Sequence, residues 1–154
     1  MTDRRPCLER PLVARGLVAY YGFIQAAHLI ALLRAAILLL TTGRLTFPAP
    51  PPPPGWTDQA RYFLVTLGLL DTFLILLSFA FVAGYFARAR WHSWLGLATL
   101  SAFVASAFAF AGGTLPTGAW AAHPLAYLSL VLAFLPVVPL FLFCLAATAR
   151  EQHR

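Results

Sequence analysis

Two charged residues, Arg34 and Asp71, lie near the middle of long apolar segments. Hydrocarbon does not solvate charge, so an ionisable side chain at such a position needs a partner or a function. Arg34 comes ten residues before Arg44, and Asp71 comes ten residues after Arg61. If Arg44 and Arg61 mark one membrane surface, both inner charges lie about 15 Å below it. This spacing predicts an Arg34–Asp71 salt bridge, with a site for a substrate, ion or proton as the alternative.

Three polar residues share one face of the first apolar segment, at spacings of four and three. Such a stripe is typical of a polar cavity or of a hydrogen-bonded seam between helices. The side chains that could contact a ligand are therefore Tyr21, Gln25 and His28, together with Asp71. The pattern leaves open whether Asp71 pairs with Arg34 or with His28.

No further chemistry is indicated by a motif. The chain has no glycine-rich phosphate loop, HExxH or GxSxG pattern, and a single acid in its apolar segments provides no carboxylate pair. Cys7 and Cys144 form no CxxC, and His92 and His123 lie near opposite ends of the spans, which disfavours zinc, thiol redox and haem sites. We therefore predict no catalytic residue, no metal site and no cofactor.

The elements that carry these residues are four apolar segments, each long enough for a bilayer core that needs about 20 residues of helix. With 60% hydrophobic and only 10% charged residues, the composition is that of a membrane protein. We predict an all-α integral membrane protein, with a four-transmembrane-helix bundle forming a single domain over residues 1–154. The predicted spans are 17–42, 62–86, 94–112 and 125–148, with a proline-rich outer loop at 46–55.

The distribution of arginine predicts the orientation. The chain carries eleven basic residues and a formal charge of +6. Most of the arginines lie in the two termini and the second loop, a pattern that indicates membrane orientation and argues against nucleic acid binding. The positive-inside rule then places both termini in the cytoplasm. The absence of lysine favours a bacterial inner membrane, with the endoplasmic reticulum membrane as the alternative for a eukaryotic source.

Two further patterns predict how the helices pack. Pro136 and Pro139 predict a kink in the fourth span. Pro50–Pro54 predict a stiff polyproline rod that serves as a spacer or, alternatively, as a docking strip. A stripe of small residues on the third span predicts a face where helices approach closely: Ala98, Ala102, Ala105, Ala109 and Gly112.

Short stretches spread over about 130 residues resemble the EXPERA superfamily, the four-span family of emopamil-binding proteins and sigma-2-type receptors. They are residues 21–25, residues 58–62 leading into the span with Asp71, and residues 123–127 followed by prolines. The resemblance implies a cavity for a sterol-like or amphipathic amine ligand, with Asp71 as the acid that faces it. It does not imply sterol isomerase activity, because the third span lacks that activity's acid and apolar residues around Ala133 and Phe134 replace its asparagine.

Three functions remain in competition. The first is a small membrane protein that binds a lipid-like or hydrophobic ligand in an intramembrane cavity. The second is an accessory or assembly subunit of a larger membrane complex, and the third is an enzyme or an oligomeric transporter. The expected partners are membrane lipids, a hydrophobic small molecule, and a membrane-protein partner or a second copy of the chain.

Overall fold

A computed structural model describes residues 12–45 and 50–152, with side chains described up to residue 149. Within these residues the regular structure is helical, which confirms the predicted all-α class. Four stretches are long and apolar enough to cross a membrane: Leu12–Thr42, Asp58–Phe86, His92–Thr117 and Pro124–Ala149. Each of the four predicted spans thus corresponds to one of these helical stretches, and within the described residues the first begins at Leu12 rather than at residue 17.

The first three stretches are formed by α1 (Leu12–Thr42), α2 (Asp58–Phe86) and α3 (His92–Thr114), the last continued by a 3₁₀ turn over Leu115–Thr117. The short α4 (Ala119–Ala122) leads into α5 (Pro124–Phe134) and α6 (Val137–Gln152). At the start of α2, the hydroxyl of Thr57 accepts a hydrogen bond from the amide of Ala60 at 3.3 Å. This cap satisfies one of the amides that a helix N-terminus leaves free.

The long helices form a ring in which α1 packs against α2 and α6, and α3 packs between α2 and α6. We call the end with residues 43–45, 50–57 and 115–123 the proline-loop end, and the opposite end, where α1 begins and α6 ends, the termini end. Near the termini end, Tyr21, Phe81, Leu100 and Leu140 belong to one buried cluster. A second buried cluster, nearer the middle, contains Leu32, Leu74, Ile75 and Phe103. These two clusters hold the α1, α2 and α3 residues of the candidate site in place.

The contact face of α3 is not the predicted small-residue stripe. Ala98, Ala105, Ala109 and Gly112 are exposed on the surface of the bundle, and Ala102 is half-buried. The face that packs against α2 instead uses Gly96, whose missing side chain leaves room for the ring of Phe81. Gly113 makes the same room for the ring of Phe63. Two glycines under aromatic rings, rather than a run of alanines, bring α2 and α3 close together.

The fourth span is broken at Leu135 and Pro136, between α5 and α6, so the predicted kink is confirmed. Pro136 has no amide hydrogen and cannot complete the helical ladder there. Pro139 lies in the first turn of α6, where its missing donor leaves no helical bond unmade. The carbonyl of Ala133, beside the break, accepts a hydrogen bond of 2.9 Å from the hydroxyl of Tyr20, which ties α5 to α1.

The described part of the proline-rich loop lies against the bundle. Pro52 is buried, and the carbonyl of Pro51 lies 3.0 Å from Nε2 of His123, within hydrogen-bond distance. Residues 46–49 of the predicted loop lie outside the described residues. The segment 50–54 is therefore packed onto its own protein over at least part of its length, which a free spacer rod would not be.

Candidate functional site

Asp71 lies on α2 with 8% of its surface exposed. One carboxylate oxygen, Oδ1, accepts a hydrogen bond of 2.6 Å from the hydroxyl of Ser106 on α3. This short bond spans the α2–α3 contact, which the Gly96–Phe81 packing holds in register. The sequence did not predict Ser106 as a site residue, because it follows Asp71 by 35 residues and no local spacing relates the two.

His28 approaches Asp71 from α1, with its Nε2 atom 3.9 Å from the second carboxylate oxygen, Oδ2. The distance allows an ion pair with a protonated imidazole, but it exceeds the length of a hydrogen bond. The rings of Phe103 and Phe134 contact the imidazole edge-on, at centroid distances of 6.0 and 5.7 Å. Of the two partners that the sequence left open for Asp71, the structure therefore brings His28 to it.

The predicted Arg34–Asp71 salt bridge does not form. Arg34 is exposed on the outside of the bundle, and the ion pairs among the described residues do not include it. It follows the buried Leu32 by two residues, which turns its side chain about 200° away from the buried face of α1. Equal spacing from Arg44 and Arg61 was a poor measure of depth as well. His28 lies beside Asp71, so it marks the depth of the acid along α1. Arg34 follows His28 by six residues and is therefore about 9 Å away from that depth along the helix axis.

Tyr21 and Gln25 are buried on the same side of α1 as the half-buried His28, as their shared face predicted, but they lie nearer the termini end. The hydroxyl of Tyr21 is 2.8 Å from that of Ser78 on α2, and this pair forms a hydrogen-bonded seam between α1 and α2. Gln25 is fully buried one helical turn from Tyr21. Of the four candidate ligand-binding residues, only His28 and Asp71 border the cavity described next.

A cavity of about 360 Å³ lies beside Asp71, between α2, α3 and the broken fourth span. Pockets that hold small molecules in proteins start at about this size. Its wall is almost entirely apolar: Leu64, Leu67, Gly68, Phe103, Val104, Ala107, Phe110, Ala111, Val131, Phe134, Val137 and Val138 are among its residues. The polar side chains that border it are His28, Asp71, Ser106 and Trp120. The cavity thus combines an apolar body with one small polar corner.

The cavity opens on the side of the bundle rather than at one of its ends. Phe108 and Leu135 line it, from α3 and from the break in the fourth span, and they are 76% and 57% exposed. The break at Pro136 matters here, because α6 packs against α1 and α3 while α5 carries the remainder of the wall. A molecule dissolved among lipid chains could therefore enter from the side.

An aromatic group lies at the proline-loop end of the cavity. The ring of Tyr127 stacks on Trp120 at a centroid distance of 4.7 Å and on Phe110 at 6.2 Å. The indole nitrogen of Trp120 donates to the hydroxyl of Thr114 at 2.9 Å, which fixes the indole ring. Trp56, which follows the prolines, packs on the same group. These rings close the cavity toward the loop and hold the loop on the bundle.

The polar corner offers several groups that could contact a ligand. The hydroxyl of Ser106 donates to the carboxylate of Asp71, so the two side chains hold each other in place at the edge of the cavity. In the described part of the chain, no three His, Cys, Asp or Glu side chains lie close enough to share a metal ion. A carboxylate, an imidazole and a hydroxyl at the end of an apolar cavity can hold a polar group of a ligand by hydrogen bonds or charge.

Comparisons of the chain with protein-family models, with curated proteins and with solved structures found no match. The functional argument therefore depends on the geometry of the bundle and its cavity.

Proposed function

We propose that this is an integral membrane protein that binds a small hydrophobic or lipid-like molecule in the cavity beside Asp71. The observation that carries the proposal is an apolar cavity of about 360 Å³ with a buried carboxylate at its edge. An apolar body would fill the space between α2, α3 and α5, and its polar end would meet Asp71, Ser106 and His28. Because the opening faces sideways, the ligand would enter from the bilayer.

Charge and packing support this reading of the polar corner. A structural ion pair would place a permanent cation against the carboxylate, whereas Asp71 has a hydroxyl donor and, at 3.9 Å, an imidazole. Beside its second oxygen, Oδ2, the imidazole of His28 lies at 3.9 Å, which exceeds hydrogen-bond length, so a ligand could donate a hydrogen bond to this oxygen. The EXPERA resemblance predicts the same kind of site, with Asp71 as the acid facing it, and that kinship stays a prediction.

The proposed location is a bacterial inner membrane with both termini in the cytoplasm, supported by the arginines of the termini and the second loop. In this orientation the proline-loop end faces outward. A cysteine introduced at the exposed Gln59, in a Cys7→Ser background, should react in intact cells with a thiol reagent that cannot cross the membrane. Reaction only after lysis would contradict this orientation.

Native mass spectrometry of the protein, gently extracted from its own membrane, tests the proposal. We expect the wild-type protein to carry an adduct of discrete mass. Asp71→Asn should lose that adduct while it keeps its thermal unfolding transition, because the amide preserves the size of the side chain but not its charge. A wild-type protein without an adduct, or a variant that keeps it undiminished, would contradict the proposed role of Asp71.

A further inference from the structure

Arg34 is a cation on the outward surface of a helix that we propose to lie in the membrane. Its side chain is exposed, and among residues 12–45 and 50–149 no acid pairs with it. Arg34 lies eight residues before the end of α1 at Thr42, or about 12 Å along the helix axis. Helical side chains lean toward the N-terminus, and here that direction leads away from the nearer surface. With α1 crossing the bilayer as proposed, the guanidinium group therefore lies below the surface at that end of the helix.

The residues around Arg34 form a regular stripe along α1. They are separated by four and three residues in alternation, and all of them are exposed: Phe23, Ala27, Ile30, Arg34, Ile37 and Thr41. We call these six residues the Arg34 stripe. It lies on the side of α1 opposite the buried residues Tyr21, Gln25 and His28. Alternating spacings of four and three are those by which one helix packs along another.

Apolar residues alone would not identify an occupant for this stripe, since lipid chains cover apolar surfaces equally well. The charge makes the difference, because lipid chains offer nothing that solvates a guanidinium group. The complementary group is a carboxylate at the same depth, which Arg can bind with two parallel hydrogen bonds.

The described part of the chain offers no suitable carboxylate on a second copy. Asp71 is buried inside its own bundle and already accepts a hydrogen bond from Ser106. Asp58 lies at the very start of α2, 3.8 Å from Arg61, and therefore at the wrong depth. Neither described acid can thus reach Arg34 from a second copy, which points to a carboxylate of another polypeptide.

We propose that the Arg34 stripe is the contact surface for a membrane helix of a different protein, which presents an Asp or Glu carboxylate to Arg34. The inference requires only the proposed membrane insertion and is independent of ligand binding in the cavity. It identifies the side of the molecule through which the chain would join a larger membrane complex.

Site-specific photocrosslinking of the full chain in its own membrane tests this surface. A photoreactive residue at Ile37, within the stripe, should crosslink to one protein, at a membrane helix that contains an Asp or Glu. The same probe at Phe73, exposed on α2, is the matched control and should not capture that helix. Arg34→Leu should lower the Ile37 crosslink about tenfold, and exchanging the charges of Arg34 and the identified acid should restore it.

Four results would overturn the inference: crosslinks to lipid alone, which would assign Arg34 to a lipid phosphate; crosslinks to a second copy; a partner helix without an acid; or an unchanged yield in Arg34→Leu. A fold check accompanies the variant, whose thermal unfolding transition should be retained because Arg34 contacts no described acid. The ligand-binding proposal and the partner-contact proposal can also be tested separately. Arg34→Leu should keep the cavity adduct, and Asp71→Asn should keep the crosslink.

Discussion

The surroundings of Asp71 explain how the acid is tolerated without an arginine partner. A charged side chain at the centre of a membrane helix costs about 2.5–3.5 kcal/mol on insertion scales. A hydrogen bond to a charged group contributes about 1.5–3 kcal/mol, so the bond from Ser106 offsets much of this cost for the ionised form. His28 supplies further stabilisation when its ring is protonated. A strong permanent counter-ion is thus not required, and a ligand can still compete for the carboxylate.

Removal of the Ser106 hydroxyl should measure that contribution. Ser106→Ala leaves Asp71 without its hydrogen-bond donor, so we expect the free energy of unfolding to fall by about 1–3 kcal/mol. Ser101→Ala is the control, since the exposed Ser101 hydroxyl bonds only to the carbonyl of Leu97 in its own helix. Unfolding of both variants in detergent by a chemical denaturant provides the comparison. Equal effects of the two changes would show that the Asp71–Ser106 bond contributes little.

At the scale of residues, the sequence predicted the buried acid Asp71 and one of its neighbours, His28. Helical spacing placed Tyr21, Gln25 and His28 on one face, and all three lie on the buried side of α1. Helical spacing could not identify Ser106, because its proximity to Asp71 depends on how α2 and α3 are aligned. It misplaced Arg34, because counting residues from the loop arginines measured depth and ignored the rotation of the side chain around α1.

At the scale of the elements, the α2–α3 contact sets the position of Ser106 against Asp71. Gly96 permits this contact, since a Cβ atom at that position would collide with the ring of Phe81. The alanine stripe suggested a different contact face because small residues are also compatible with lipid exposure, so their periodicity alone does not identify the packed side. The aromatic ring opposite each glycine became evident only with the helices assembled.

Alanine substitutions on α3 should distinguish the two faces. Gly96→Ala forces the Phe81 ring to move, and overpacking of this kind typically costs about 1–3 kcal/mol. Gly112→Ala is the matched control, since a Cβ atom there meets nothing within 4 Å. It should be neutral or should stabilise the helix by up to about 1 kcal/mol. Thermal unfolding measures both variants, and a loss of stability in Gly112→Ala alone would contradict the assigned contact face.

The broken fourth span is the element that shapes the cavity. Two prolines predicted a kink, and the structure places the break at Pro136, with Pro139 accommodated in the first turn of α6. The sequence did not reveal that the break leaves α5 and α6 lining one cavity with α2 and α3. That result depends on the ring order of the helices, which short loops alone do not determine.

For the whole molecule, the length of the apolar segments was sufficient to predict four helices long and apolar enough to cross a membrane. Their arrangement produces two distinct surfaces. One is the cavity beside Asp71, which opens sideways between α3 and the fourth span. The other is the Arg34 stripe on the outside of α1. Their separation allows ligand binding and membrane-partner contact to be tested independently.

The most direct test of the central claim is the mass of any adduct retained by a protein whose cavity has been filled. Ala107 lines the cavity, whereas Ala105, on the same helix, does not. Native mass spectrometry of both variants, extracted from the native membrane, should show that Ala107→Trp loses the discrete adduct and Ala105→Trp keeps it. If Ala107→Trp retained the adduct as fully as Ala105→Trp, or if the wild-type protein carried none, the cavity would not be the binding site.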